Sequence, residues 1–431
     1  IPDGVTKVGA LFGGSEITGI IFPDSVTEIS GTNYTTWDGP FAGCTKLESV
    51  TIPCNITQTY VFQNCTALKT VSFKEGVTTM ADYTFSNCTA LTTINIPKSM
   101  DAFNTSAFVG CKAISTINCA EGSVYSMKDN VLMKNGTEIV FALPTVQVTG
   151  ELVIPEGVTA IGDYAYEKQT GITSVKFPST LKTIGQFAFS GCTGLTGEVV
   201  FPEGVTTIGR EAFHNCAGVT GVQFPSTLTT IGQQAFDSTG LTALELPASV
   251  TSIDYGAFQK TKIKTLNLPD GLNITESSVF QECTELTEIS VGGDVMGNGA
   301  FGNCTALTTV TVREGATSIG SMAFGGCTAL TTVNLPKSLT TLDARAFYGC
   351  TALKSINFAE GSTFRFQDGI VYSGNSILFV LTLDQEELVI ADGVTEIGNQ
   401  AFQNQTVLKK VTLPDSLVKI GSSAFNDCTN L

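Results

Sequence analysis

A pattern of about 23 residues is repeated along most of this chain. Its plainest copy runs from Leu330 to Thr351 and reads Leu-x-x-Val-x-Leu-Pro, then Leu-x-x-Leu, then Ala-Phe-x-x-Cys-Thr. A period of this length is typical of a solenoid, in which each copy forms one coil that buries its apolar side against neighbouring coils. About seventeen coils can be counted, which predicts a single solenoid domain over residues 1–431.

Each copy contains two local signals. The first half alternates apolar and polar residues and in most copies then reaches a proline, which predicts a short strand that ends where the ladder loses a backbone N–H. The Ala-Phe-x-x-Cys segment is too short for a stable α-helix and predicts one helical or 3₁₀ turn. Together they predict an α/β repeat solenoid of mostly short parallel strands with single helical turns.

Two copies are longer and irregular, at about residues 119–151 and 358–387. Both alternate apolar residues around dipeptides that favour tight hairpin turns. We therefore expect two β-hairpin insertions that project from the stack, either as binding loops or as elements that stiffen it. The dipeptides are Asn135-Gly136, Asp368-Gly369 and Gly374-Asn375.

The full pattern, Leu-x-x-Val-x-Ile-Pro-x-x-Val-x-x-Ile-Gly-x-x-Ala-Phe-x-x-Cys-Thr, resembles the BspA-like leucine-rich repeats of bacteria, also called the Treponema pallidum type. The phrases at 129–133 and 368–372 resemble the interruptions of that family. The resemblance implies a right-handed leucine-rich-repeat superhelix on a secreted or cell-surface protein that adheres to host proteins or other cells. It transfers no binding residue, because the shared motif is structural.

Five positions depart from the repeat. Tyr166 stands in place of the Phe, and Gln169, Thr239, Thr261 and Gln405 stand in place of the Cys. We expect the coils that carry them to pack less regularly.

Most of the 13 cysteines lie three residues after an aromatic residue. One such thiol per coil predicts a line of buried cysteines whose parallel Cβ vectors oppose disulfide geometry. A line of sulfurs also cannot surround a zinc ion. We expect few or no disulfides, no metal and no cofactor. The clearest members of this aromatic and cysteine ladder are Phe85, Cys88, Phe301, Cys304, Phe324, Cys327, Phe347 and Cys350.

Catalytic motifs are sparse. His214 is the only histidine, which argues against the usual base and metal sites. A pair of carboxylates remains an open route to catalysis, but Asp and Glu mostly occupy repeat-equivalent turns. We therefore expect no enzymatic activity. Trp37, in an irregular insert, either anchors a partner or covers the edge of its coil.

The net charge of −16 disfavours nucleic acid and anionic membranes as partners. No apolar run is long enough to enter a membrane. The chain starts and stops within a repeat, so we expect a piece of a longer ectodomain. We also expect a monomer, and the family resemblance implies a location outside the cell or on the bacterial surface.

Small polar residues occupy the solvent side of the predicted strands. This stripe predicts a shallow groove that binds a protein or glycan, although Thr also suits any exposed strand and the stripe lacks Trp, Tyr and Arg. We expect a non-enzymatic adhesion or recognition scaffold; the alternative is a structural spacer that presents another module. The proposed ligand-facing residues are Thr93, Asn95, Thr116, Asn118, Thr309, Thr311, Thr332, Asn334, Ser355 and Asn357.

Overall fold

The computed structural model describes residues 1–10, 12–31, 39–269, 272–293 and 295–431. Trp37 lies outside these residues. The chain forms two compact units, Ile1–Leu195 and Thr196–Leu431. Each unit is a parallel β-solenoid in which strands of successive coils pair side by side.

The first unit begins with two short strands and contains one four-stranded sheet of longer strands, β3 to β6. Its strands are β1 (Lys7–Val8), β2 (Glu28–Ile29), β3 (Ser49–Ile52), β4 (Thr70–Phe73), β5 (Thr93–Ile96), β6 (Thr116–Cys119), β7 (Tyr125–Lys128), β8 (Val131–Lys134), β9 (Glu138–Ala142), β10 (Gly150–Val153), β11 (Ala160–Ile161), β12 (Ile172–Lys176) and β13 (Thr183–Ile184).

In the second unit most coils contribute one longer strand and one strand of two residues. Its strands are β14 (Thr196–Val200), β15 (Thr207–Ile208), β16 (Gly218–Gln223), β17 (Thr230–Ile231), β18 (Ala243–Glu245), β19 (Ser252–Ile253), β20 (Thr265–Asn267), β21 (Glu288–Val291), β22 (Val295–Met296), β23 (Thr309–Val312), β24 (Ser318–Ile319), β25 (Thr332–Leu335), β26 (Thr341–Leu342), β27 (Asn357–Phe358), β28 (Phe364–Gln367), β29 (Ile370–Ser373), β30 (Ser376–Val380), β31 (Glu387–Val389), β32 (Glu396–Ile397), β33 (Lys410–Thr412) and β34 (Lys419–Ile420).

The alternation in each copy sets which side chains enter the core. Val71 of β4 pairs with Ile94 of β5, and Ile94 pairs with Ile117 of β6, in parallel register. All three side chains are buried. A register slip of one residue would expose the whole set, so the repeat fixes the pairing.

The turn after the second strand is not helical, and the expected α/β class is wrong. The one helix among the described residues is the 3₁₀ segment Thr105–Phe108. In the coil around Phe85, Tyr83 and Asn87 adopt left-handed φ angles of 57° and 59°. Other coils repeat this pair, for example at Tyr60 and Asn64. Two left-handed residues four positions apart prevent the run of right-handed dihedrals that a helical turn needs.

The left-handed residues instead direct backbone N–H groups toward the next coil. The N–H of Phe62 donates to the carbonyl of Thr84 at 2.7 Å, and the N–H of Asn64 donates to the carbonyl of Ser86 at 2.8 Å. The turns therefore form a hydrogen-bonded ladder of their own, which continues coil by coil.

Antiparallel pairs occur at both irregular copies. Strands β7 and β8 form a hairpin, β8 pairs antiparallel with β9, and β9 then pairs parallel with β11. The second copy repeats this order with β28, β29, β30 and β32. These strands belong to the sheets and bury Leu132, Ile139 and Ile377, so the expected projection from the stack is wrong. The predicted right-handed superhelix stays a prediction.

The core of each unit is a column of stacked rings. In the first unit the rings of Phe62, Phe85 and Phe108 follow one another with centroids 5.4 Å apart. In the second unit the ring of Phe324 lies 5.7 Å from that of Phe301 and 5.5 Å from that of Phe347. Near-parallel rings at this distance add dispersion to the burial of apolar area.

Each ladder cysteine links two coils by a hydrogen bond. The thiol of Cys88 donates to the carbonyl of Phe62 at 3.2 Å, and that of Cys304 donates to the carbonyl of Phe280 at 3.3 Å. Cys327 and Cys350 make the same bond to Phe301 and Phe324. All 13 cysteines lie in described segments and are free thiols. Their repeated position is thus explained by this sulfur-to-carbonyl contact.

Candidate functional site

The outward face of sheet β3–β6 carries the first half of the polar stripe. Thr93 and Asn95 are partly exposed, and Thr116 and Asn118 are exposed. The side-chain amide of Asn118 donates to Asn95 Oδ1 at 2.8 Å, and the amide of Asn95 donates to Ser72 Oγ at 2.8 Å. The polar groups therefore form a chain that crosses three strands.

The second unit repeats this arrangement on β23, β25 and β27. The amide of Asn357 donates to Asn334 Oδ1 at 2.9 Å, and the amide of Asn334 donates to Thr311 Oγ1 at 3.2 Å. Thr309 and Thr332 flank this chain and are partly exposed. Ser355 is exposed but lies before β27 begins.

The side chains at these positions of both stripes are small and uncharged. Such a surface offers hydroxyl and amide groups to a polar ligand, without the large aromatic anchors of tight interfaces. The amide chains also use part of that hydrogen-bonding capacity internally. The stripe can therefore support broad, weak contacts.

A cleft of about 400 Å³ lies on the turn side of the first unit, next to the irregular copy. We call it the first cleft. Its walls include Gly110 and Lys112 on one side, Phe141 and Pro144 at the base, and Glu167 and Thr170 on the other side.

A cleft of about 350 Å³ lies at the corresponding place in the second unit, and we call it the second cleft. It includes Arg345, Gly349 and Thr351 on one side, Phe379 and Thr382 at the base, and Gln403 on the other. One side-chain contact spans it, because the amide of Asn404 donates to the hydroxyl of Tyr348 at 2.9 Å.

Both clefts form because the irregular copies lack the Ala-Phe-x-x-Cys turn. The following coil carries Gln at the cysteine position, and this Gln contacts the irregular copy before it. Gln169 Oε1 accepts the backbone N–H of Val148 at 3.2 Å, and Gln405 Oε1 accepts that of Leu383 at 3.0 Å. The amide of each Gln thus satisfies a backbone N–H of the irregular copy.

The expectation of looser packing at the departures from the repeat is wrong. Gln169 is 2% exposed and Gln405 is 6% exposed. Thr239 and Thr261 are equally buried and donate their hydroxyls to the carbonyls of Phe236 and Phe258 in their own coils. Tyr166 stacks on Phe189 at 5.4 Å as a phenylalanine would.

The lone histidine lies in a polar cluster of the second unit. His214 Nε2 is 3.4 Å from Asp237 Oδ2, and His214 Nδ1 is 3.7 Å from Glu211 Oε2. The hydrogen bond to Asp237 raises the pKa of His214. Burial alone would raise the pKa of Asp237, but the hydrogen bonds from His214 and Ser238 outweigh burial, and that pKa is lowered. The cluster is an ion pair, and neither His214 nor Asp237 is among the residues that line the two clefts.

Neither cleft has the acidic pair that carboxylate catalysis needs. Glu167 is the one acidic residue that lines the first cleft, and none lines the second. Among the described residues, no group of three or more His, Cys, Asp or Glu could hold a metal ion. A helix with the length and apolarity needed to cross a membrane is also not found among them.

The family model of the BspA type leucine rich repeat region (6 copies) matches residues 38–151, 145–197, 195–296, 294–379 and 374–431. The chain belongs to this family. The family is defined by a repeat and not by a catalytic motif, in agreement with the coils described above. A search of the curated proteins finds no match.

Solved structures of bacterial leucine-rich repeat proteins are similar to this chain. One, from Bacteroides ovatus, is 24% identical over 89% of this chain and 85% of its own, with a TM-score of 0.47. A leucine rich cell surface protein from Faecalibacterium prausnitzii is 25% identical over 71% and 75%, with a TM-score of 0.42. The T. pallidum leucine rich repeat protein is 25% identical over 48% and 86%, with a TM-score of 0.34.

Sequence reasoning did not find the clefts. The two signals that could have revealed them were the missing Ala-Phe-x-x-Cys in each irregular copy and the Gln that replaces Cys in the next coil. Both signals are visible in the sequence. They indicate a cleft only once the structure shows which backbone carbonyls the ladder cysteines contact.

Proposed function

We propose that this chain is a non-enzymatic recognition or adhesion scaffold, located outside the cell or on the bacterial surface, that binds a protein or glycan. The observation that carries the proposal is the repeated polar stripe. Each unit has a row of three hydrogen-bonded side chains on neighbouring strands: Asn118, Asn95 and Ser72 in the first unit, and Asn357, Asn334 and Thr311 in the second. An extended strand face that continues over several coils is the kind of surface solenoids use for large ligands.

The net charge of −16 supports a protein or neutral glycan over nucleic acid. The family resemblance supports the extracellular location. Weak contacts summed over several coils can still give useful avidity when many copies of the chain face a surface.

Binding of the immobilised chain to a panel of matrix proteins and a glycan array tests the proposal. The paired variant Thr309→Glu with Thr332→Glu places two charges on the stripe and should weaken any binding at least tenfold. The single variants Thr305→Glu and Thr328→Glu, at exposed turn positions, are matched controls. Uniformly absent binding, or equal binding by all variants, would contradict the proposal.

A structural spacer is the second candidate. The hydrogen bonds within the stripe favour this candidate, because the side chains of Asn95 and Asn334 already donate to and accept from neighbouring side chains of the protein. A spacer should tolerate charges at Thr332, Asn334, Ser355 and Asn357 with no loss of cell attachment, whereas a binding face should not.

A further inference from the structure

The ladder of backbone hydrogen bonds between turns is interrupted at both clefts. We call the stacked aromatic residue of each coil, such as Phe62 or Phe85, its ring residue. In a regular pair of coils, the residue two positions after one ring residue donates its N–H to the carbonyl of the residue that directly follows the ring residue of the next coil. The bonds from Asn64 to Ser86 and from Asn87 to Val109 follow this rule at 2.8 and 2.9 Å.

In the first unit the rule fails after Val109. The N–H of Ala142 still donates to the carbonyl of Ala165 at 2.8 Å, as a ring residue would. Two positions later the chain has Pro144, which has no N–H to give. Among the hydrogen bonds of residues 39–195, none uses the N–H of Gly110 or the carbonyl of Glu167. A donor on one wall of the first cleft and an acceptor on the other are thus left to solvent.

The second unit fails at the same place. The N–H of Val380 donates to the carbonyl of Ala401 at 2.9 Å, and Thr382 occupies the position of Pro144. Within residues 295–431, neither the N–H of Gly349 nor the carbonyl of Gln403 has a hydrogen-bond partner. Two separate units therefore present the same pair of unpaired main-chain groups on opposite walls.

The spacing of these groups suits a polypeptide backbone. Neighbouring parallel strands are about 4.8 Å apart, so walls two coils apart are separated by roughly 10 Å. A single extended backbone placed midway would lie at hydrogen-bonding distance from both walls. Peptides commonly dock on unpaired main-chain groups in this way.

The charges at the cleft walls differ from those of the chain as a whole. The chain carries a net charge of −16. The first cleft is lined by Lys112, Lys168 and Glu167, of which Lys168 and Glu167 contact each other. Arg345 is the one charged residue that lines the second cleft. Lys112 and Arg345 make no ion pair with any described residue, so each can pair with an acidic side chain of a ligand.

We propose that each cleft binds an extended, acidic segment of a partner polypeptide, which gives a carbonyl to Gly110 or Gly349 and an N–H to the carbonyl of Glu167 or Gln403. This names a second binding surface for the scaffold proposed above and does not involve the strand stripe. In the second cleft the amide of Asn404 also donates to the hydroxyl of Tyr348.

Phage display of random twelve-residue peptides on the full chain tests this proposal. Enriched peptides should be rich in Asp and Glu, and the double variant Thr170→Trp with Thr351→Trp, which fills both clefts from exposed positions, should weaken them at least tenfold. The variant Thr193→Trp with Thr328→Trp is the control, because these threonines hold the same positions in coils without a cleft. Charge reversal by Lys112→Glu with Arg345→Glu should weaken binding without filling the clefts.

N-methylation of the backbone of an enriched peptide should also weaken it at least tenfold, since it removes the donated N–H groups. The proposal is overturned if no peptide is enriched, or if enriched peptides bind the cleft and control variants equally. It is also overturned if N-methylated peptides bind as well as the parent. The stripe variant Thr309→Glu with Thr332→Glu should leave peptide binding unchanged. The test of the clefts can therefore fail or succeed independently of the test of the strand face.

Discussion

Gln405 Oε1 accepts the backbone N–H of Leu383 at 3.0 Å, at the position where most coils carry a cysteine. Both groups are buried. The coil before it is irregular and lacks the Ala-Phe-x-x-Cys turn whose Phe carbonyl the ladder cysteines contact. The longer side chain is therefore a specific response to the irregular copy before it.

Replacing Gln405 by Ala should lower the free energy of unfolding by about 1–3 kcal/mol, because the N–H of Leu383 would lose its partner in a buried site. Equilibrium urea unfolding measures this. Gln403→Ala, two residues away and only partly buried, is the matched control and should change stability by less than about 0.5 kcal/mol. Equal effects of the two changes would contradict the assigned role.

Much of the fold could be predicted from the sequence, because the alternation around Val71, Ile94 and Ile117 specifies a strand in every coil. The turn could not, since nothing in the letters Ala-Phe-x-x-Cys marks the left-handed φ of Tyr83 and Asn87. The hairpin turns were predictable from their dipeptides. Their place within the sheets depends on pairing between β9 and β11, which is non-local.

The polar stripe was likewise predictable from alternation alone. The amide chain through Asn95 was not, because its bonds join residues 23 positions apart. The clefts lay beyond sequence reasoning for a different reason. In the first unit Pro144 has no N–H to continue the ladder. In the second unit the N–H of Thr382 makes no hydrogen bond to the carbonyl of Gln403, which only the structure shows.

Replacing Phe324 by Ala should cost about 3–5 kcal/mol, the usual range for a buried phenylalanine. Its side chain is fully buried and stacks on both neighbouring rings. Because coils couple to nearest neighbours, amide hydrogen exchange should rise first in the coils around residues 301–350. Tyr348→Ala, at an exposed ring, is the control. Exchange that rises evenly over the whole unit would refute the nearest-neighbour account.

The ion pair between His214 and Asp237 should make stability depend on pH. The raised pKa of His214 means that its contribution is complete below its usual pKa of about 6.5 and is lost as pH rises through the higher folded value. The lowered pKa of Asp237 means that its contribution is present above about 3.9 and is lost as pH falls through the lower folded value. Glu211 also favours the charged imidazole, and Lys260 opposes it.

His214→Gln should therefore destabilise the protein most near roughly pH 5 and least near roughly pH 9. Urea unfolding at the two pH values measures the difference. Thr251→Ser, at an exposed position of the same unit, should show no such dependence. A larger effect of His214→Gln at high pH would reverse the sign and exclude the ion pair as its cause.

Alkylation of the native protein by iodoacetamide should label Cys54, Cys119 and Cys428 before the other ten cysteines. These three are partly exposed, and the rest are buried. Burial raises the pKa of Cys54 and Cys119, so even these should react slowly at neutral pH. Peptide mass spectrometry after timed labelling gives the order. Early labelling of Cys88 or Cys304 would contradict the buried ladder.

The sulfur-to-carbonyl contacts have a practical consequence. A ladder cysteine should react only when its own coil separates from the one before it. The natural cysteines can therefore report local opening at known positions along the chain. A graded alkylation experiment in mild denaturant would chart which coils separate first and which last, with no label introduced by engineering.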